Sequence, residues 1–135
     1  MKKLILVILM VFAMSTTTNA QYHVYQAKYF AMKTLTSNGY WTEWSNWKKS
    51  NARIVVDFKS EIVYINTEKK QKYIVIDDVK KYVDSSGGKQ SEYLVIDQSD
   101  DIGKLRIRLE RNGNQQLYVE FNDVIWVYSG LTKIN

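Results

Sequence analysis

The chain has no cysteine, no proline, one histidine and only six glycines in 135 residues. Each shortage removes a class of chemistry. Without cysteine there is no disulfide framework, no thiol nucleophile and no Cys-ligated zinc, and a lipid cannot be attached through a cleavage-site cysteine. A single histidine excludes a His-rich metal cluster within one chain. There is no G-x-S-x-G turn, phosphate loop, H-E-x-x-H or G-x-G-x-x-G. Long apolar runs are also scarce. The longest, residues 4–14, is eleven residues, short of the ~20 that span a bilayer.

That run defines an address. It follows Lys2 and Lys3, and a stretch of small polar residues ends at Ala20, with Thr18 and Ala20 placed as a signal peptidase requires. The sequence predicts that residues 1–20 form a cleaved signal peptide and that 21–135 are the mature domain, with no membrane anchor after cleavage. The destination is periplasmic or extracellular, and the Lys-rich, Pro-free style points to a bacterial host. Removing 20 of 135 residues leaves 115, and 17 basic residues then oppose 14 acids, so the net charge falls from +5 to +3. The remaining bases alternate with acids and apolar residues, which is too thin a footprint for nucleic acid.

What is abundant is β-forming and aromatic. There are 10 tyrosines, 4 tryptophans and 4 phenylalanines. Period-2 runs rich in Val, Ile and Tyr occupy 22–34, 53–58, 61–66, 72–77, 92–97, 104–111, 115–121 and 124–128, with turn residues between them. The expected fold is all-β: one domain, an antiparallel meander of about eight strands, forming a small barrel or a two-sheet sandwich. In length and strand count it resembles the small lipocalin-like barrels, although their G-x-W opening is not found near residue 21. Residues 62–65, 73–76 and 93–96 are apolar at every position, so both faces of these strands require cover or a partner. One hairpin can be set to register. A three-residue loop at 112–114, with Asn114 left-handed, aligns Leu109–Leu117, Ile107–Val119 and Leu105–Phe121 on one face and Arg106–Glu120 on the other.

Tyr40, Trp41, Trp44 and Trp47 form the candidate binding site. Three of the four tryptophans recur here at every third residue. Over about eight residues this resembles the tryptophan ladder opening thrombospondin type 1 repeats, a family built on disulfides that this chain does not have. Rigid indole faces suit a protein, lipid or glycan partner; a packing role, closing a barrel end or covering a sheet edge, also accounts for them. Asp97, Ser99 and Asp101 alternate as a calcium loop begins, but Ile102 and Arg108 stand where Gly and Glu are required. His23 reads as a structural imidazole. No catalytic residue, cofactor or metal ligand is assigned. The functional expectation is a non-catalytic binding or protein-interaction module. The alternatives are a carrier of hydrophobic small molecules or carbohydrate, with an internal cavity lined by residues such as Ile54, Val63 and Ile74, and a small hydrolase using paired carboxylates.

Overall fold

The computed structural model describes residues 22–135, so the expected signal peptide and its cleavage point lie outside the described residues. Eleven strands follow in chain order: β1 (Tyr22–Gln26), β2 (Tyr29–Thr34), β3 (Lys48–Lys49), β4 (Arg53–Asp57), β5 (Ile62–Asn66), β6 (Lys70–Val83), β7 (Lys89–Ile96), β8 (Ile102–Leu109), β9 (Gln115–Glu120), β10 (Val124–Ser129) and β11 (Thr132–Lys133). They form one antiparallel sheet in the order β11-β1-β4-β5-β6-β7-β8-β9-β10-β2-β3. The fold is all-β and antiparallel, and the eight expected runs map onto it. The sheet is single, not a two-sheet sandwich, and its order is open.

The sheet is nevertheless rolled. β6 and β10 are four ladder steps apart, ~19 Å in a flat sheet, yet Gln71 Nε2 on β6 donates to the Tyr128 hydroxyl on β10 at 3.4 Å. Two kinked strands make this possible. β1 and β2 are halves of one run interrupted at Ala27 and Lys28, where neighbours change. The Ala27 N–H reaches Ala52 O on the β4 side at 3.0 Å, and the Lys28 N–H reaches Ser129 O on β10 at 3.0 Å. β10 and β11 are divided likewise at Gly130, which has φ +67°. The rolled interior gathers Tyr25, Ile54, Ile65, Tyr73, Val95, Leu105, Val119 and Tyr128 into one core. Ile54 and Val63 are buried there, and Ile74 is 39% exposed on the opposite face, so the three do not share one face. The open space lies at one end of the roll.

Four turns share a five-residue plan, at 36–40, 84–88, 97–101 and 110–114. The fourth residue's N–H donates to the first residue's carbonyl, at 2.9–3.2 Å, and the first N–H reaches the fifth carbonyl, at 2.7–2.9 Å. The fourth position is left-handed, at Gly39 (φ +84°), Gly87 (+83°), Asp100 (+64°) and Gly113 (+91°). The expected β8–β9 hairpin is corrected accordingly. Its loop has three residues, but they are 111–113, and the left-handed position falls on Gly113, which has no Cβ to clash, rather than on Asn114. The register becomes Leu105↔Val119, Ile107↔Leu117 and Leu109↔Gln115, with Arg106 opposite Tyr118. A shift of two residues preserves the faces, so Leu105 stays in the core. Arg106 Nε still bonds Glu120 Oε2, diagonally, at 2.7 Å.

The doubly apolar strands also resolve. Their inward residues, Val63, Ile65, Tyr73, Val75, Tyr93 and Val95, are buried. Outward, Ile62 pairs with Ile74, Ile74 with Ile96, and Ile96 with Ile102, giving a row of four isoleucines across β5 to β8. β6 is longer than its apolar run, extending past Asp77 with bulges between Val75 and Asp77 and between Asp78 and Lys80. Beyond Ile74 it has left β5 behind, so one edge faces water and polar residues suffice.

Candidate binding face

The tryptophan segment is anchored by its backbone. The Thr42 N–H donates to Thr34 O at 2.8 Å and the Ser45 N–H to Met32 O at 2.8 Å. In return the Thr34 N–H donates to Thr42 Oγ1 at 3.0 Å and the Met32 N–H to Ser45 Oγ at 2.9 Å. Lys48 then pairs with Phe30. Three residues of the segment thus pass for every two of β2, so 42, 45 and 48 face the strand, and 41, 44 and 47 share another side. The segment covers the outer edge of β2, which would otherwise present unpaired backbone groups.

Covering the edge leaves the indoles available. Tyr40, Trp41, Trp44 and Trp47 are 74%, 39%, 40% and 52% exposed. Ala31 and Val127 are each 2% exposed yet stand apart from the main core. They line a cleft of about 170 Å³ with Trp44, Trp47 and Tyr118, so the indoles form a small second apolar layer on the outer face. The Lys33 ammonium lies 4.9 Å from the Trp44 ring and 5.7 Å from Trp41. Trp44 meets Tyr118 edge-on at 6.1 Å, and the Arg106 guanidinium lies 3.8 Å over Tyr118. Cation and ring alternate along this face, which fixes the rings' orientations.

Trp47 also walls a second cleft of about 500 Å³, with Tyr29, Glu110, Asn114, Gln116 and Ser129. Its floor is a fixed polar network. Asn114 Nδ2 donates to Glu110 Oε1 at 2.9 Å and to Ser129 Oγ at 3.1 Å. Gln116 Nε2 donates to Ser129 Oγ at 3.2 Å. Arg108 ties this floor to Asp84 at 2.8 Å and Glu110 at 3.3 Å. The Arg108 guanidinium, the Gly88 amide and the Ser86 hydroxyl hold the Asp84 carboxyl well below the usual carboxylate range.

Of the four expected site residues, Trp44 and Trp47 line these clefts. Trp41 stacks on Lys33 beside them, and Tyr40 ends the 36–40 turn away from both. Sequence reading missed Tyr29, Asn114, Gln116, Tyr118 and Ser129. Alternation shows that they face outward, but only the β2-β10-β9 order brings them beneath the segment.

The other candidates take structural roles. Asp97 Oδ1 accepts the Ser99 and Asp101 N–H groups at 2.8 and 2.9 Å, which is turn chemistry, and Asp84 does the same in its own turn for Ser86 and Gly88. Asp84 lies at the far end of β7 from Asp97, so the two acidic turns do not combine. His23 is buried and meets Phe58 edge-on at 4.5 Å. Desolvation, aided by Lys133, lowers its pKa from 6.5. Glu92, Glu110 and Glu120 each sit against a lysine or arginine. No family model, curated protein or solved structure matches the chain.

Proposed function

We propose that this protein is a non-catalytic binding module that holds a glycan on the outer face beneath the tryptophan segment. One observation carries the reading: Trp47 is shared by an aromatic cleft and a cleft floored by amide, hydroxyl and carboxylate groups. A pyranose has an apolar C–H face and a rim of hydroxyls. The indole and Tyr29 match the first, and Asn114, Gln116, Ser129 and Glu110 match the second. We take residues 1–20 as an export signal, which would deliver the module to where glycans are met. Titration with neutral oligosaccharides, followed by tryptophan fluorescence, tests the reading. Trp47→Ala is expected to weaken binding by about tenfold or more, the cost of losing one aromatic anchor, while unfolding stays cooperative. Saturable binding that Trp47→Ala leaves unchanged would refute it.

The isoleucine row, exposed at Ile74 and Ile102 and half-buried at Ile62 and Ile96, favours a second reading, in which a protein partner covers it. Replacing both Ile74 and Ile102 by lysine would then abolish association seen by sedimentation, without altering oligosaccharide binding.

A further inference from the structure

A third cleft lies at the mouth of the roll, on the inner face of the sheet, where the tryptophan segment ends at Lys48 and Lys49. It measures about 700 Å³, within the range of small-molecule sites. Its wall is aromatic: Phe30, Trp126 and Tyr128 project inward from the paired strands β2 and β10. The Phe30 and Tyr128 rings are 5.5 Å apart, and Trp126 stacks on Phe121 at 6.0 Å, so the wall is braced from behind. At its base Gln71 Oε1 accepts the Tyr73 hydroxyl at 2.6 Å. Burial raises the pKa of both Tyr73 and Tyr128, so their hydroxyls stay protonated near neutral pH.

The rim has a different character. Lys48 and Lys49 on β3 and Lys69 in the β5–β6 turn border the opening, with Glu68 as the one acid beside them. All three lysines are exposed, and among the described residues none of them belongs to an ion pair. Among the described residues the ion pairs involve Lys80 on β6 and Lys104, Arg106 and Arg108 on β8, and none of these reaches the rim. Here three cations and a single acid border an opening with one aromatic wall, and Ser50, Asn51, Thr67 and Gln71 complete its lining.

The geometry points to a second ligand site at this mouth, for an organic anion with an apolar body of the fatty-acid class. The apolar body lies against Phe30 and Trp126, and the carboxylate stays at the rim among Lys48, Lys49 and Lys69. A neutral ligand would gain no charge attraction at the rim, and a cationic one would meet like charge there. The site is independent of the tryptophan face, because the two lie on opposite faces of β2 and β10.

Dodecanoate below its micellar concentration is the probe, with calorimetry for affinity and the Trp126 indole N–H resonance for location. Dodecanoate is expected to bind saturably and to shift that resonance. The triple variant K48Q/K49Q/K69Q alters only exposed side chains and should fold normally, which circular dichroism checks. It is expected to bind about tenfold more weakly, and added salt should weaken the parent protein in the same direction. Trp47→Ala should leave dodecanoate binding intact, which separates this site from the proposed glycan face. Absence of saturable binding, an unweakened triple variant, equal affinity for dodecyltrimethylammonium, or binding to phosphatidylglycerol vesicles without binding of free dodecanoate would each overturn the assignment.

Discussion

Gly103 shows how one position can fix a local packing arrangement. A Cβ there would stand 2.7 Å from the Glu120 carbonyl oxygen and 2.7 Å from the Phe121 ring, and Phe121 also braces Trp126. Gly103→Ala forces backbone or ring to move, and overpacking of this kind costs about 1–3 kcal/mol; urea unfolding should show the loss. His23 gives the second prediction at this scale. Its folded pKa is lowered by burial, so below its ordinary value of 6.5 the unfolded chain binds the proton more readily than the folded one. Stability is therefore fullest above about pH 6.5 and falls as the pH drops toward the lowered folded value. His23→Phe should flatten that dependence in thermal melts between pH 7.5 and 5. The residue types were legible in the sequence, but the pressure of Phe121 on Gly103 and of Phe58 on His23 was not. Both contacts join residues far apart in the chain.

Among the elements, the segment carrying the tryptophans depends on very few bonds. Ser45 accepts the Met32 N–H and donates its own to the Met32 carbonyl, so Ser45→Ala removes half of that clasp. Leaving a half-buried N–H unpaired costs about 1 kcal/mol, and hydrogen exchange at the Met32 amide should accelerate ahead of the core strands. The turns teach a different lesson. Three of the four with the shared plan have glycine at the left-handed position, and the β8–β9 hairpin follows that glycine rather than the pairing that maximises apolar overlap. The faces of β8 and β9 were readable from alternation because a two-residue shift conserves them. The register was not, because the preference of Gly113 for positive φ outweighs one additional cross-strand pair.

For the molecule as a whole, seven of the ten strand pairings join consecutive strands, but the roll depends on β1–β4, β1–β11 and β2–β10, which join distant parts of the chain and slow folding to milliseconds or seconds. With no proline, there is no X–Pro isomerisation to add a phase of tens of seconds. Stopped-flow refolding should therefore complete without such a phase, and a slow proline-like phase would contradict this. The inner and outer faces serve different ends. The interior closes into a core except at one mouth, and the exterior carries the tryptophan layer and the isoleucine row.

The sequence by itself determined the strand content, the antiparallel order of neighbours, the side of β8 and β9 that turns inward, and the unusual character of the tryptophan segment. Each follows from the two-residue period of a strand or from composition, which are local properties. Only the tertiary structure decided that the sheet rolls without closing, that Trp44 and Trp47 lie over Ala31 and Val127, and that lysines from β3 and from the β5–β6 turn border the cleft walled by Phe30 and Trp126. Those outcomes depend on the kinks at Ala27–Lys28 and Gly130, where the chain exchanges one hydrogen-bonding neighbour for another. No short-range pattern encodes that exchange, because its stabilisation comes from strands far away in the sequence.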